Sequence, residues 1–173
     1  MVEAARYSTK ERLRDGRTVE IRAQRAADQA ELLAAVGRIG DQSRHRRFFG
    51  AKRDFSDKEV AYFLNIDFIN HVALVATINE KDHAVIVGGA RYVVERPGTA
   101  EVAFAVIDAY QGQGLGAALM LHLAALARNA GLRQFTAEVL PDNIPMLKVF
   151  EKSGLKVSTK REAGTTHVVL ELG

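Results

Sequence analysis

The sequence predicts one α/β domain of the α+β kind, with a mixed, mostly antiparallel sheet of about seven strands and four to five helices. Three observations carry this. Between His71 and Ile107 three runs rich in Val and Ala follow one another across short polar turns, as in an antiparallel meander. After Asp108 the texture changes to a glycine-rich stretch, Gln111 to Ala117, that opens a leucine-striped helix. The 173 residues, 47% apolar and 26% charged, suffice for a single domain with its own core.

Each element has a local reason. Residues 1 to about 16 carry Arg6, Lys10, Arg12 and Arg14 with few large apolar groups, and are expected to form a flexible arm before a folded domain over 17–173. Thr18 to Arg22 alternates apolar and polar residues, as a half-buried strand does. Asp28 precedes a run with Leu32, Leu33, Val36 and Ile39 at helical spacing, and a short helix is expected over Arg44 to Phe49. Ser56 to Glu59 has capping-box spacing ahead of Val60, Phe63 and Leu64, a third helix ending near Asn65 to Asp67. His71 to Ile78 and Ala84 to Val94 flank the polar turn Asn79 to His83, and Pro97-Gly98-Thr99 turns the chain into Ala100 to Ile107. Leu115, Leu119, Leu123 and Leu126 then form a helical stripe that stops at Gly131. Gln134 to Val139 reads as a strand, and Ile144 to Ser153 as a helix with Asn143 at its N-cap and Pro145 in its first turn. Strands over Lys156 to Thr159 and His167 to Leu172 close the chain.

Composition removes several function classes. A balance of 24 basic against 21 acidic residues leaves +3, too small an excess to point to nucleic acid. Zero cysteines exclude disulfides, thiolate metal sites and a cysteine nucleophile. The first residues are charged throughout and lack an apolar h-region, and no apolar run approaches the ~18 residues of a membrane span. A soluble, cytoplasmic protein without a membrane partner is expected. His45, His71, His83, His122 and His167 show no metal-ligand spacing, so no metal is expected. Within that set, His122 reads as a partly solvated helix residue and His71 and His83 as surface residues. The stretch Ser43 to Lys52 is basic and aromatic, with Phe48 and Phe49 read as core anchors and Arg44, Arg46 and Arg47 as solvated.

The chemistry concentrates at strand, glycine loop and helix over residues 101–130. Glycines admit close backbone approach to a ligand, and a helix N-terminus offers N–H donors and a dipole that favours anions. No Gly-Lys-Ser/Thr follows, so this is not a nucleotide P-loop. Two frames fit a phosphate. Gly112-x-Gly114-x-x-Ala117 meets the relaxed dinucleotide fingerprint, with Glu138 as the acid that would hold a ribose, although Asp108 to Gln111 intervene and most strands come first. The other frame is Gln111-x-x-Gly114-x-Gly116.

In that second frame the chain resembles the GNAT N-acetyltransferase superfamily, whose acetyl-CoA pyrophosphate loop is Q/R-x-x-G-x-G/A. The likeness runs over roughly residues 18–172 in element order, and Asn143 to Leu155 (NIPMLKVFEKSGL) is similar to the family's second motif. Ala100 to Phe104 (AEVAF), with the loop and the downstream DNIPM, looks closest to bacterial Pat-type protein lysine acetyltransferases. The resemblance implies a sheet splayed between its fourth and fifth strands, and acetyl-CoA as co-substrate. It implies that Gln111, Gly112, Gln113, Gly114, Leu115, Gly116 and Ala117 hold the diphosphate, and that the pantetheine arm runs along Phe104, Ala105 and Val106. Asn143 and Lys152 are implied as further coenzyme contacts, and Glu101 as the general base. The acceptor implied is a protein lysine, attacked directly in a ternary complex, by a monomer or homodimer. A small amine such as a polyamine or aminoglycoside, or a non-catalytic acyl-CoA sensor, stands as the alternative. Many relatives place a tyrosine seven residues after the asparagine as the acid for the leaving thiolate; here that residue is Phe150, Tyr110 is no substitute, and no general acid is named.

Overall fold

The computed structural model describes residues 4–28, 31, 66–106, 114–139, 144–162 and 164–173. Eight strands form one sheet: β1 (Ser8–Arg12), β2 (Thr18–Ala23), β3 (His71–Glu80), β4 (His83–Arg96), β5 (Thr99–Val106), β6 (Gln134–Val139), β7 (Lys156–Glu162) and β8 (Thr165–Glu171). Their spatial order is β1-β2-β3-β4-β5-β6-β8-β7. Two helices fall within the described residues, α1 (Leu115–Asn129) and α2 (Ile144–Glu151). Every neighbouring pair is antiparallel except β5 and β6, which run parallel. A parallel pair needs a crossover, and α1 is that crossover.

Local chemistry accounts for the connections. Lys81 and Asp82 both take positive φ, 49° and 70°, which gives the β3–β4 hairpin a two-residue turn twisted like its strands. The central strand β3 is buried over its first eight residues, which is why HVALVATI reads as continuous rather than alternating. On one face of the sheet Ile21, Leu74, Tyr92, Val102 and Phe104 lie beneath α1, whose Leu115, Leu119, Met120 and Leu123 are buried against them. Each leucine so buried contributes about 1.5–3 kcal/mol relative to leaving it exposed. Tyr92 stacks at 5.8 Å on Phe135, and burial, then Asp67, pushes its hydroxyl up to about 12.

The sheet of about seven strands with a parting between the fourth and fifth is observed, with one strand added at the front. Residues 8–12, read from the sequence as part of a flexible arm, pair along their whole length with β2, from Ser8 opposite Arg22 to Arg12 opposite Thr18. Charge conceals β1: an edge strand tolerates Lys, Glu and Arg on its solvent side. The fourth and fifth strands of the sequence reading are therefore β5 and β6. The three helices expected between Asp28 and Asp67 lie outside the described residues, apart from helical Glu31, whose carboxylate accepts the Ile86 N–H at 3.2 Å. His71 is a correction: it is buried, and Arg91 Nη1 lies 3.1 Å from its Nε2, while Arg91 Nη2 donates to Gln24 at 3.3 Å. The guanidinium needs acceptors inside the fold, and an imidazole nitrogen supplies one.

Candidate active site

The parallel seam between β5 and β6 is short. Thr99, Ala100 and Glu101 pair with Gln134, Phe135 and Thr136, and there the ladder stops. Past that point β5 continues to Val106 while still paired to β4, and β6 continues to Val139 while still paired to β8. The two strands therefore part, and each presents one edge of backbone N–H and C=O groups to the gap. Such an edge must find partners, in water or in an extended ligand that adds as a further strand. From Glu101 to Val106 the open edge of β5 is about 16 Å long at ~3.3 Å per residue.

Residues 107–113, which lie outside the described residues, join this strand to α1. Gly114 is its N-cap with φ 87° and ψ 6°, and no side chain caps the helix. The first turn carries no acidic residue, so nothing in it offsets the positive end of the dipole. Leu115 is buried in the core, so only its backbone can meet a ligand, whereas Ala117 is exposed. Gly116 has a different duty. A Cβ there would come within 3.2 Å of Val149 Cγ2 on α2, so this glycine lets the two helices approach. The helix start thus suits an anion.

The remaining sequence-predicted positions sort clearly. Glu101 is exposed and is the last β5 residue in the seam, opposite Thr136, so its carboxylate stands where the gap begins. The Phe104 ring is buried and meets Phe150 edge-on at 6.1 Å and 69°, so its backbone is what remains for a ligand. Ala105 and Val106 extend the same open edge. Lys152 is exposed just past α2, its N–H bonded to Lys148 O at 3.0 Å. Gln111, Gly112, Gln113 and Asn143 lie outside the described residues. The structure therefore brings together β5 at Phe104, α2 and the start of α1, with Glu101 three residues earlier on β5 where the seam ends.

Sequence reasoning misses two groups around this site, Glu95 and Arg14. Thr136 Oγ1 donates to Glu95 at 3.4 Å, which sets a second carboxylate beside the seam. Glu95 reaches it through an irregularity in the β4–β5 register between Val94 and Arg96, which no local pattern announces. Glu138, the acid of the dinucleotide frame, pairs with His167 Nδ1 at 2.5 Å and accepts from Thr165 at 3.2 Å. With one parallel pair in an otherwise antiparallel sheet, that frame is set aside. Arg14 lies beside Gly114, with its Nε 3.8 Å from where a Cβ would stand. Among the described residues no three His, Asp or Glu side chains gather as a metal site would need.

A parted parallel seam followed in the chain by a glycine-capped helix fits the family model described as the Acetyltransferase (GNAT) family, which matches residues 41–155. The chain belongs to the GNAT acetyltransferase family. It is 31% identical over 144 residues to acetyltransferase Pat of Mycolicibacterium smegmatis, covering 82% of this chain and 42% of that protein. The chain thus spans less than half the length of Pat. Against the crystal structure of the GNAT domain of S. lividans PAT the TM-score is 0.86, with 35% identity over 95% of this chain and 96% of that one. The fold is also that of yncA from Salmonella typhimurium, solved with its cofactor acetyl-CoA, at TM-score 0.72 and 22% identity over 90% of this chain and 94% of that chain. Curated relatives carry the name acetyltransferase. The chain is a GNAT N-acetyltransferase.

Proposed function

We propose that this acetyltransferase moves acetyl from acetyl-CoA to a protein lysine by direct attack, with Glu101 as general base. The observation that carries the reading is the parting of β5 from β6 at Glu101 and Thr136, with α2 packed both on Phe104 of the same strand and on the start of α1. The N–H groups opening α1 suit a diphosphate, and the β5 edge over Phe104 to Val106 suits the amides of an extended pantetheine arm. The likeness to PAT, over 95% of this chain, agrees with the Pat-type sequence resemblance, and it is that resemblance that implies a lysine acceptor.

Transfer needs a neutral amine, whereas a free lysine ammonium has a pKa of about 10.4. Glu101 accepts the ammonium proton, directly or through a water. The amine nitrogen then attacks the thioester carbonyl carbon, and a β5 N–H facing the gap stabilises the oxyanion. Collapse re-forms the carbonyl, breaks the C–S bond and expels the thiolate, and the nitrogen, acidified by its new acyl group, gives its remaining extra proton to solvent water. With no cysteine in the chain, no acyl-cysteine intermediate forms.

A thiol-release assay against acyl-CoA synthetases, histones, polyamines and aminoglycosides tests the acceptor. Release with proteins alone supports a lysine acceptor. Release confined to small amines refutes it, and coenzyme binding without release on any of them marks a sensor. Glu101→Gln tests the base: coenzyme affinity should hold while turnover at neutral pH drops about 10²–10⁴-fold, recovering in part at high pH. Unchanged turnover removes Glu101 from the chemistry.

A further inference from the structure

Glu138 and His167 form a pair beside the gap that the steps above leave unused. β6 pairs with β5 only as far as Thr136, and Ala137 to Val139 are paired to β8 alone, so Glu138 lies on the parted stretch. Register fixes the face on which the pair stands. Paired residues share a face of a sheet, and so do residues two apart on one strand. Glu101 pairs with Thr136, Glu138 follows two residues on, and Glu138 pairs with His167. All four therefore stand on one face, opposite the face on which Val102 and Phe104 lie beneath α1. Along β6 the step from Thr136 to Glu138 is about 7 Å.

The pair is built as an oriented base. His167 Nδ1 lies 2.5 Å from Glu138 Oε1, and a carboxylate only accepts, so Nδ1 carries the proton. Thr165 Oγ1 donates to the other oxygen of Glu138 at 3.2 Å and fixes the carboxylate from the same strand as His167. The neutral ring then has its lone pair at Nε2, which has no hydrogen-bond partner among the described residues. Both side chains are 37% exposed, so water reaches the pair and a proton taken up there can leave. Among the described residues the other charges beside His167 are on β7: Lys160, its register partner, and Glu162. Lys160 Nζ pairs with Glu162 at 3.0 Å, which offsets its charge, and Glu138 stabilises an imidazolium.

We propose that His167 is a second proton acceptor of the transfer reaction, working through a water in the gap, with Glu138 as its positioning residue. This rests on reading the parted seam as the place where acetyl is transferred. An ammonium loses two protons on becoming an amide, and Glu101 takes the first. The second is on the nitrogen once it has bonded the thioester carbon. While it stays there, the nitrogen can leave again as a neutral amine and the intermediate reverts. A water that takes this proton and hands one to Nε2 closes that route, and the C–S bond then breaks. The products are the amide, the thiolate, a protonated Glu101 and an imidazolium paired with Glu138, and both residues return their protons to solvent.

The test is the rate of thiol release from acetyl-CoA by the full chain, with an acyl-CoA synthetase, polylysine and spermidine as acceptors. His167→Ala should lower kcat about tenfold with the KM for acetyl-CoA unchanged, and added imidazole should restore much of the loss. His167→Gln, whose amide can still donate to Glu138 but takes up no proton, should be as slow as His167→Ala. Arg161→Ala, which removes a charge from the opposite face of the same hairpin, should stay within about twofold of the parent protein. His167→Ala as fast as Arg161→Ala overturns the proposal, and so does a loss that imidazole leaves in place or that His167→Gln repairs. Glu138→Gln should lower kcat about threefold in the parent protein and not at all in the His167→Ala background. An equal loss in both backgrounds refutes the positioning role. No release by the parent protein with any of the three acceptors would instead sink the reading of the site itself, so the two failures are separable.

Discussion

Gly114 and Gly116 stand two residues apart at the start of α1, yet the structure requires them for unrelated reasons, and alanine separates the two. At Gly114 φ is 87°, and among the described residues a Cβ would meet nothing nearer than Arg14 Nε at 3.8 Å, an ordinary contact. The penalty is therefore in the backbone: about 1–2 kcal/mol for an L-residue in the left-handed region. Stiffening of the unfolded chain returns roughly 0.4–1 kcal/mol, so Gly114→Ala should lose about 1 kcal/mol. Gly114→Asn should lose less, because asparagine tolerates that region. At Gly116 the backbone is ordinary and the obstacle is Val149 Cγ2, 3.2 Å from the new methyl. Helix propensity contributes at most about 1 kcal/mol, against about 1–3 kcal/mol of overpacking. Gly116→Ala should therefore range from neutral to a loss of about 2 kcal/mol. In a Val149→Ala background the obstructing atom is gone, and the same change should stabilise by up to about 1 kcal/mol. Urea unfolding followed by circular dichroism reads all of these, and a loss of 1 kcal/mol corresponds to roughly 2–4 °C in Tm for a chain of this size. The reasoning fails if Gly114→Asn costs as much as Gly114→Ala, or if Gly116→Ala has the same effect in both backgrounds.

Two further outcomes follow from groups outside the site. Arg22 forks onto Asp28 at 2.8 and 2.9 Å, with side-chain exposures of 11% and 8%, so Arg22→Met should cost about 3–5 kcal/mol by leaving a buried carboxylate behind. Burial alone would raise the Asp28 pKa, but the Arg22 hydrogen bonds and the Arg25 N–H outweigh it and hold it below the ordinary carboxylate value. Its stabilisation is therefore full above the unfolded value of about 3.9 and lost as pH falls through the lower folded value, and an unchanged gap between the protein and Asp28→Asn on acidification would refute the pairing. Tyr92 works the other way: with its folded pKa at about 12, its contribution is full below the unfolded value of about 10 and disappears as pH rises from there. Stability measured from pH 9 to pH 12 should fall less steeply in Tyr92→Phe than in the parent protein.

Legibility followed sequence distance. α1 was readable because Leu115, Leu119, Leu123 and Leu126 repeat at helical spacing, and β6 because its apolar alternation sits between clear turn signals. β1 was not, since Tyr7 and Leu13, the apolar residues that anchor it, flank a strand of Ser, Thr, Lys, Glu and Arg whose pairing depends on β2. His71 looked like a surface residue because nothing near it in the chain shows that Arg91, twenty residues on, will need an acceptor. Glu101 and Gly114 could be singled out within their own motifs. Arg14 and Glu95 could not, because one reaches the site across the sheet and the other through a slipped register. Motif chemistry is local, whereas the groups that complete a site arrive through tertiary packing.

Phe150 shows how packing and the proposed chemistry constrain each other. It is 1% exposed and meets Phe104 edge-on, so this ring fixes α2 to the strand whose other side forms the gap. A tyrosine hydroxyl in so buried a place would need a partner, and a bare ring needs none. The residue that in many relatives supplies an acid here serves the core instead. The leaving group can do without that proton: a thiol of ordinary pKa, near 8.5, departs as thiolate at little cost close to neutral pH. An amine of pKa about 10.4 has no such freedom and must lose its proton before it can attack. In the proposed reaction the proton that has to be removed before attack is therefore the acceptor's, and Glu101, exposed where the seam ends, is the group proposed to take it.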